Sequence, residues 1–154
     1  MSFRPRVLIV EDEPDMLLLL RINLEQAGFD ASLAADGATA MRRIAAERPD
    51  VVLLDLMLPV LDGWAVLADL HSREQSPPVI VCSAKGSQRD LARAQELGAV
   101  EFITKPFDME DVLDTVNEVL ERFVAADRER QATRPGEPGL AGLLDLGIEG
   151  VEPA

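Results

Sequence analysis

Five times along the first 125 residues, a short run of branched apolar residues gives way to a longer stretch of helical periodicity. The runs are Arg6-Val-Leu-Ile-Val10, Phe29 to Ala34, Val51-Val-Leu-Leu-Asp55, Val79-Ile-Val-Cys-Ser83 and Val100 to Thr104. Their length and β-branching read as strands. Helices are expected from Pro14 to just before Gly28, from Asp36 to Glu47, from Gly63 to His71, from Ser87 to Leu97, and from Asp108 onward. Pro14 in a first turn and Gly28 past an end follow the usual asymmetry of helix termini. Asp108, with Asp111 three residues on, has the spacing of a capping box. Strands that alternate with helices pair in parallel, and right-handed crossovers put the helices on both faces of the sheet. The expected fold is therefore α/β, an open five-stranded parallel sheet. The third run is almost wholly apolar, so its strand is expected to be central and covered on both faces.

In such a sheet the C-terminal strand ends share one edge, and ligands bind there. Glu11 and Asp12 follow the first run, Asp55 closes the third, Ser83 the fourth, and Lys105 follows the fifth. Each residue alone has an ordinary role, as a helix cap, a turn former or a solvated cation. Together they would set three carboxylates, a hydroxyl and an ammonium around one pocket. A carboxylate such as Asp55 can attack phosphorus to form an acyl phosphate. Anion then approaches anion, and a divalent metal relieves the repulsion. Mg²⁺ takes oxygen ligands and commonly one or two carboxylates. Asp12 and Asp55 suit direct ligation, with Glu11 behind them or acting through water, and the Met57 backbone carbonyl is on the same loop. Lys105 and Ser83 would each take a phosphoryl oxygen.

The formal charge of −13 disfavours direct binding of nucleic acid through bulk electrostatics. No apolar run approaches the roughly 20 residues that span a bilayer, and the N-terminus does not read as a signal peptide. Cys82, the single cysteine, is mid-strand and reads as core. These features place the chain in the cytoplasm, with no membrane insertion.

Specific motifs now accumulate in order. Val7-Leu-Ile-Val-Glu-Asp-Glu-Pro14, Val52-Leu-Leu-Asp-Leu-Met-Leu-Pro59, Asp62-Gly63, Val81-Cys-Ser-Ala84 and Gly98-Ala-Val-Glu-Phe-Ile-Thr-Lys-Pro-Phe107 resemble the receiver domain of two-component response regulators. The resemblance covers residues 4–126. It implies a flavodoxin-like sheet of order 2-1-3-4-5. It implies that Asp55 accepts a phosphoryl group from a phosphohistidine on a histidine kinase or histidine phosphotransfer protein. Glu11 and Asp12 would hold Mg²⁺ and Lys105 would bind the phosphoryl group. Ser83 and Phe102 would form a switch pair, with Phe102 turning inward from an exposed position. The Lys105–Pro106 peptide would be cis. By this resemblance the chain would be a phosphoacceptor switch with intrinsic autophosphatase activity, not an enzyme in the usual sense. Its output face would be helix 4, strand 5 and helix 5, acting on a downstream protein, with phosphorylation-dependent dimerisation an open question. Glu11 stands where aspartate is more usual, and Ser83 where threonine is common. The alternative is a phosphorylation-independent binding scaffold with an idle acidic site.

Two stretches are left over. Met16-Leu-Leu-Leu-Leu20 cannot turn every leucine to the sheet, because successive helical residues step by about 100°. A core stripe of Met16, Leu19, Leu20, Leu24 and Ala27 would leave Leu17, Leu18 and Ile22 on the flank or outside, as a docking patch for the donor or as scattered surface residues. Residues 127–154 read as a Gly/Pro-rich acidic tail without fixed structure. Leu140, Leu143, Leu144 and Ile148 within it have helical spacing.

Overall fold

The computed structural model describes residues 4–133 apart from Lys85, with side chains described as far as Phe123. Strands and helices alternate: β1 (Arg6–Val10), α1 (Pro14–Gln26), β2 (Asp30–Ala34), α2 (Gly37–Glu47), β3 (Val51–Leu54), α3 (Gly63–His71), β4 (Val79–Ser83), α4 (Gln88–Glu96), β5 (Glu101–Thr104) and α5 (Met109–Thr133). All strand pairs are parallel, in the order β2-β1-β3-β4-β5. Val10 faces Ala34 on one side and Leu54 on the other, while Ser83 faces Thr104. The C-terminal ends of the strands thus form one edge.

The three central strands are the most apolar, and they are the most buried. All four residues of β3 and all five of β4 are out of water, as are Val7 to Val10 of β1. Each side chain of this size contributes about 1.5–3 kcal/mol on burial. Cys82 is part of this core. Caps define where helices begin. Asp36 Oδ1 accepts the Thr39 N–H at 2.7 Å, Asp62 Oδ1 accepts the Ala65 N–H at 2.8 Å, and Ser87 Oγ accepts the Asp90 N–H at 3.1 Å. These bonds satisfy amides that have no partner within the helix.

Helix α1 is rotated from the expected phase. Leu20 and Leu24 are buried, Met16 and Leu17 are half-buried, and Leu19 and Ala27 are exposed. Position 17 shares a face with 20 and 24, whereas 19 is about 100° away from 20. Leu18, Leu19 and Ile22 therefore make the exposed strip, at 52%, 47% and 43% accessibility.

The chain divides into two compact units, residues 1–120 and 121–154. The first holds all five strands. Among its α5 side chains, Val112, Val116 and Val119 are fully buried. The second opens on the last turns of α5, which run to Thr133. Residues 127–133 are therefore helical, in contrast to the tail expected there. Arg128, Glu129, Arg130, Gln131 and Ala132 are all good helix formers. The remaining tail, with Leu140, Leu143, Leu144 and Ile148, lies outside the described residues. No helix among the described residues is long and apolar enough to cross a membrane.

Candidate functional site

The backbone ladder continues past the strand ends and fixes where the site side chains depart. The Glu11 N–H donates to the Ala34 carbonyl at 3.0 Å, the Asp55 N–H to the Val10 carbonyl at 3.0 Å, and the Lys105 N–H to the Ser83 carbonyl at 2.9 Å. Glu11 and Asp55 are separated by 44 positions, yet β1 and β3 are hydrogen-bonded neighbours. Their carboxylates and that of Asp12 each offer an oxygen within 4.8 Å of the others. Lys105 Nζ bridges two of them, donating to Glu11 Oε1 at 2.6 Å and to Asp55 Oδ2 at 2.8 Å. The remaining oxygens are also held. The Met57 N–H donates to Asp55 Oδ1 at 2.9 Å, and the Glu13 N–H to Glu11 Oε2 at 3.2 Å.

Burial differs across the cluster. Glu11 and Asp55 are 3% and 5% exposed, whereas Asp12 is open to solvent. Burial raises the Glu11 pKa above the usual carboxylate range, and the Lys105 and Glu13 hydrogen bonds only partly oppose that. Burial by itself would lower the Lys105 pKa. Its hydrogen bonds to Asp55 and Glu11, and their charges, outweigh it and keep the ammonium above its ordinary value. Among the described residues, three carboxylates share this edge with one ammonium, so acidic groups are in excess. A hard divalent cation with oxygen ligands has the charge and chemistry this donor set lacks, so the residues fit Mg²⁺.

The loop after Asp55 is tightly closed. The Gly63 N–H donates to the Leu56 carbonyl at 3.0 Å. A Cβ at Gly63 would collide with the Asp55 carbonyl oxygen and the Leu56 Cα, so no larger residue fits without moving the end of β3. Further along, Val60 has φ +70°, and the Leu61 N–H closes a three-residue turn onto the Pro59 carbonyl at 2.8 Å. A γ-turn with this sign of φ is rare and strained. Met57 and Val60 are exposed on the same loop.

The structure thus brings Glu11, Asp12, Asp55 and Lys105 together, with Met57 held to Asp55 through its amide. Glu11 is in direct contact with Lys105. Ser83 is fully buried at the end of β4. Phe102 differs from expectation: it is half-buried and packs against the core cluster containing Val79 and Val81, so it is not an exposed ring waiting to turn inward. The Lys105–Pro106 peptide is cis. The close fit of Gly63 was not anticipated, although the Asp62-Gly63 pair that signals it was plain in the sequence.

Comparison with known proteins agrees with this geometry. Residues 7–117 match the family model described as response regulator receiver domain. The chain is 38% identical over 146 residues to the transcriptional regulatory protein PrrA of Mycobacterium leprae, covering 95% of this chain and 60% of that protein. It is 38% identical over 143 residues to the alkaline phosphatase synthesis transcriptional regulatory protein PhoP of Bacillus subtilis, covering 93% and 60%. The chain therefore spans about 60% of the length of these curated relatives. Among solved structures, the receiver domain of a putative LuxO repressor protein from Vibrio parahaemolyticus superposes with a TM-score of 0.77 at 28% identity, over 86% of this chain and 99% of that one. The receiver domain of the Francisella response regulator 1452 gives 0.75 at 30% identity, over 78% and 99%. With five parallel strands in the order 2-1-3-4-5 and an acidic cluster at their C-terminal edge, this chain belongs to the response regulator receiver domain family of two-component systems.

Proposed function

We propose that Asp55 accepts a phosphoryl group from a phosphohistidine on a histidine kinase or phosphotransfer protein, and that the acyl phosphate controls a partner protein. One observation carries this reading: Lys105 Nζ lies within 2.8 Å of Asp55 on an edge where two further carboxylates converge. Glu11, Asp12, Asp55 and the Met57 carbonyl would hold Mg²⁺, which when bound neutralises charge between nucleophile and phosphorus. The residues of the chain do the rest. The Met57 amide fixes one Asp55 oxygen, leaving the other for attack. Lys105 leaves Asp55 to pair with a phosphoryl oxygen, and Ser83 donates to another. The new charge then biases a two-state rearrangement around Phe102 and the face formed by α4, β5 and α5. Hydrolysis of the acyl phosphate by the same site resets the switch.

The matched relatives are named as transcriptional regulators. By that likeness the eventual output is transcription. Residues 1–154 carry −13, so we assign them the phosphorylation input and protein–protein output, in the cytoplasm, with no direct hold on nucleic acid. Asp55→Asn should abolish labelling by a phosphohistidine donor while leaving the fold intact by circular dichroism. Continued labelling of the variant would remove Asp55 from the role.

A further inference from the structure

Trp64, the single tryptophan of the chain, is the second residue of α3. It directly follows Gly63, whose Cα packs on the Asp55 carbonyl with no room for a Cβ. Packing this close leaves no slack between the backbone of the phosphoacceptor and the first turn of α3. The indole is half-buried and lies against the core. From α4, Arg93 lays its guanidinium over the ring, with Cζ 4.2 Å from the centroid. Arg93 itself is exposed, while its neighbour Ala94 is fully buried. Tryptophan offers a cation the strongest aromatic face, and the attraction fades beyond about 6 Å. A displacement of α4 by about 2 Å would therefore weaken the contact sharply.

We propose that the Arg93–Trp64 pair is a latch that couples the phosphoacceptor loop to α4 through α3, a route separate from Ser83 and Phe102. One end of this route is a rigid backbone contact at Asp55, and the other is a directional contact that a shift of α4 makes or breaks. The proposal rests on the reading of Asp55 as phosphoacceptor. Coupling between two sites is reciprocal. If the pair differs in strength between two arrangements of α4, its removal must alter how tightly the acidic edge holds a phosphoryl mimic, although Arg93 touches nothing there.

The test uses beryllofluoride with Mg²⁺ as probe, calorimetry for its Kd and Trp64 emission as a second signal. Arg93→Met keeps the length of the stem and removes the cation, and Arg93→Lys restores a cation. Arg93→Met is expected to change the beryllofluoride Kd by about threefold and to shrink the emission change on binding. Arg93→Lys should recover most of both. In a Trp64→Leu background, Arg93→Met should have no further effect on the Kd. An unchanged Kd in Arg93→Met, or an equal change with Trp64 already replaced, overturns the latch. Failure of the unmodified chain to bind beryllofluoride would instead overturn the phosphoacceptor reading, and the latch with it. Asp55→Asn is the non-binding control that tells the two failures apart.

Discussion

Cys82 and Asp36 are displaced from their ordinary titration in opposite directions, for opposite physical reasons. Burial in β4 pushes the Cys82 thiol up to about 12, and the thiolate is the reactive form. At pH 8 the native protein should stay unmodified by a disulfide-type thiol reagent over an hour and react fully in denaturant. Rapid labelling of the folded chain would contradict the burial. Asp36 lies lower than usual because its carboxylate accepts the Thr39 N–H at the start of α2. A depressed folded pKa means a contribution that is present above the unfolded value, 3.8, and lost as the pH falls through the folded one. Asp36→Ala should lower Tm at pH 7, and the gap should close below that window; a constant gap in thermal melts across pH 2–7 would rule the cap out as its source. At this scale the sequence was legible wherever a residue's place followed from the end of a strand, as for Asp12, Asp55 and Lys105. Phe102 was not, because alternation along a four-residue edge strand does not say how far a neighbouring helix covers it.

Helix α1 is the element whose reading in sequence went astray, and the cause is density. Four consecutive leucines satisfy several phases of a 3.6-residue period, so the pattern fixes the helix without fixing its rotation. Only packing against the sheet selects Leu20 and Leu24, leaving Leu18, Leu19 and Ile22 as one exposed strip. On the proposed function, which brings a protein donor to this edge, such a strip on the helix that follows Glu11 and Asp12 has the character of a contact surface. Leu18→Glu should slow phosphoryl transfer from a protein donor at least about fivefold, the scale of one good contact residue, and leave labelling by a small-molecule phosphodonor intact. Equal losses with both donors would show a damaged site and no docking role. Helix α5 shows the converse. Val112, Val116 and Val119 recur three or four positions apart, and all three are buried on one face.

For the whole molecule, the alternation of strands and helices gave the fold class directly. The order of the strands did not follow from it: periodicity is blind to which strand lies beside which, and the 2-1-3-4-5 arrangement entered with the resemblance of the motifs. That order is what sets β1 against β3 and so collects three carboxylates at one edge. Mutual repulsion there predicts stabilisation by a bound cation. At a hundredfold excess over its Kd, Mg²⁺ should add about 2.7 kcal/mol to stability by mass action, read as a rise in Tm that Asp12→Ala diminishes. No shift at millimolar Mg²⁺ would count against the carboxylates as a shared site. The Lys105 ammonium of this cluster lies 94 positions after Glu11 and 50 after Asp55. A ribosome-bound chain halted before residue 105 would already hold Glu11, Asp12 and Asp55 and lack the ammonium that ties Glu11 to Asp55. The pairing of β5 with β4, which completes this five-stranded sheet, therefore also brings charge relief to the acidic edge.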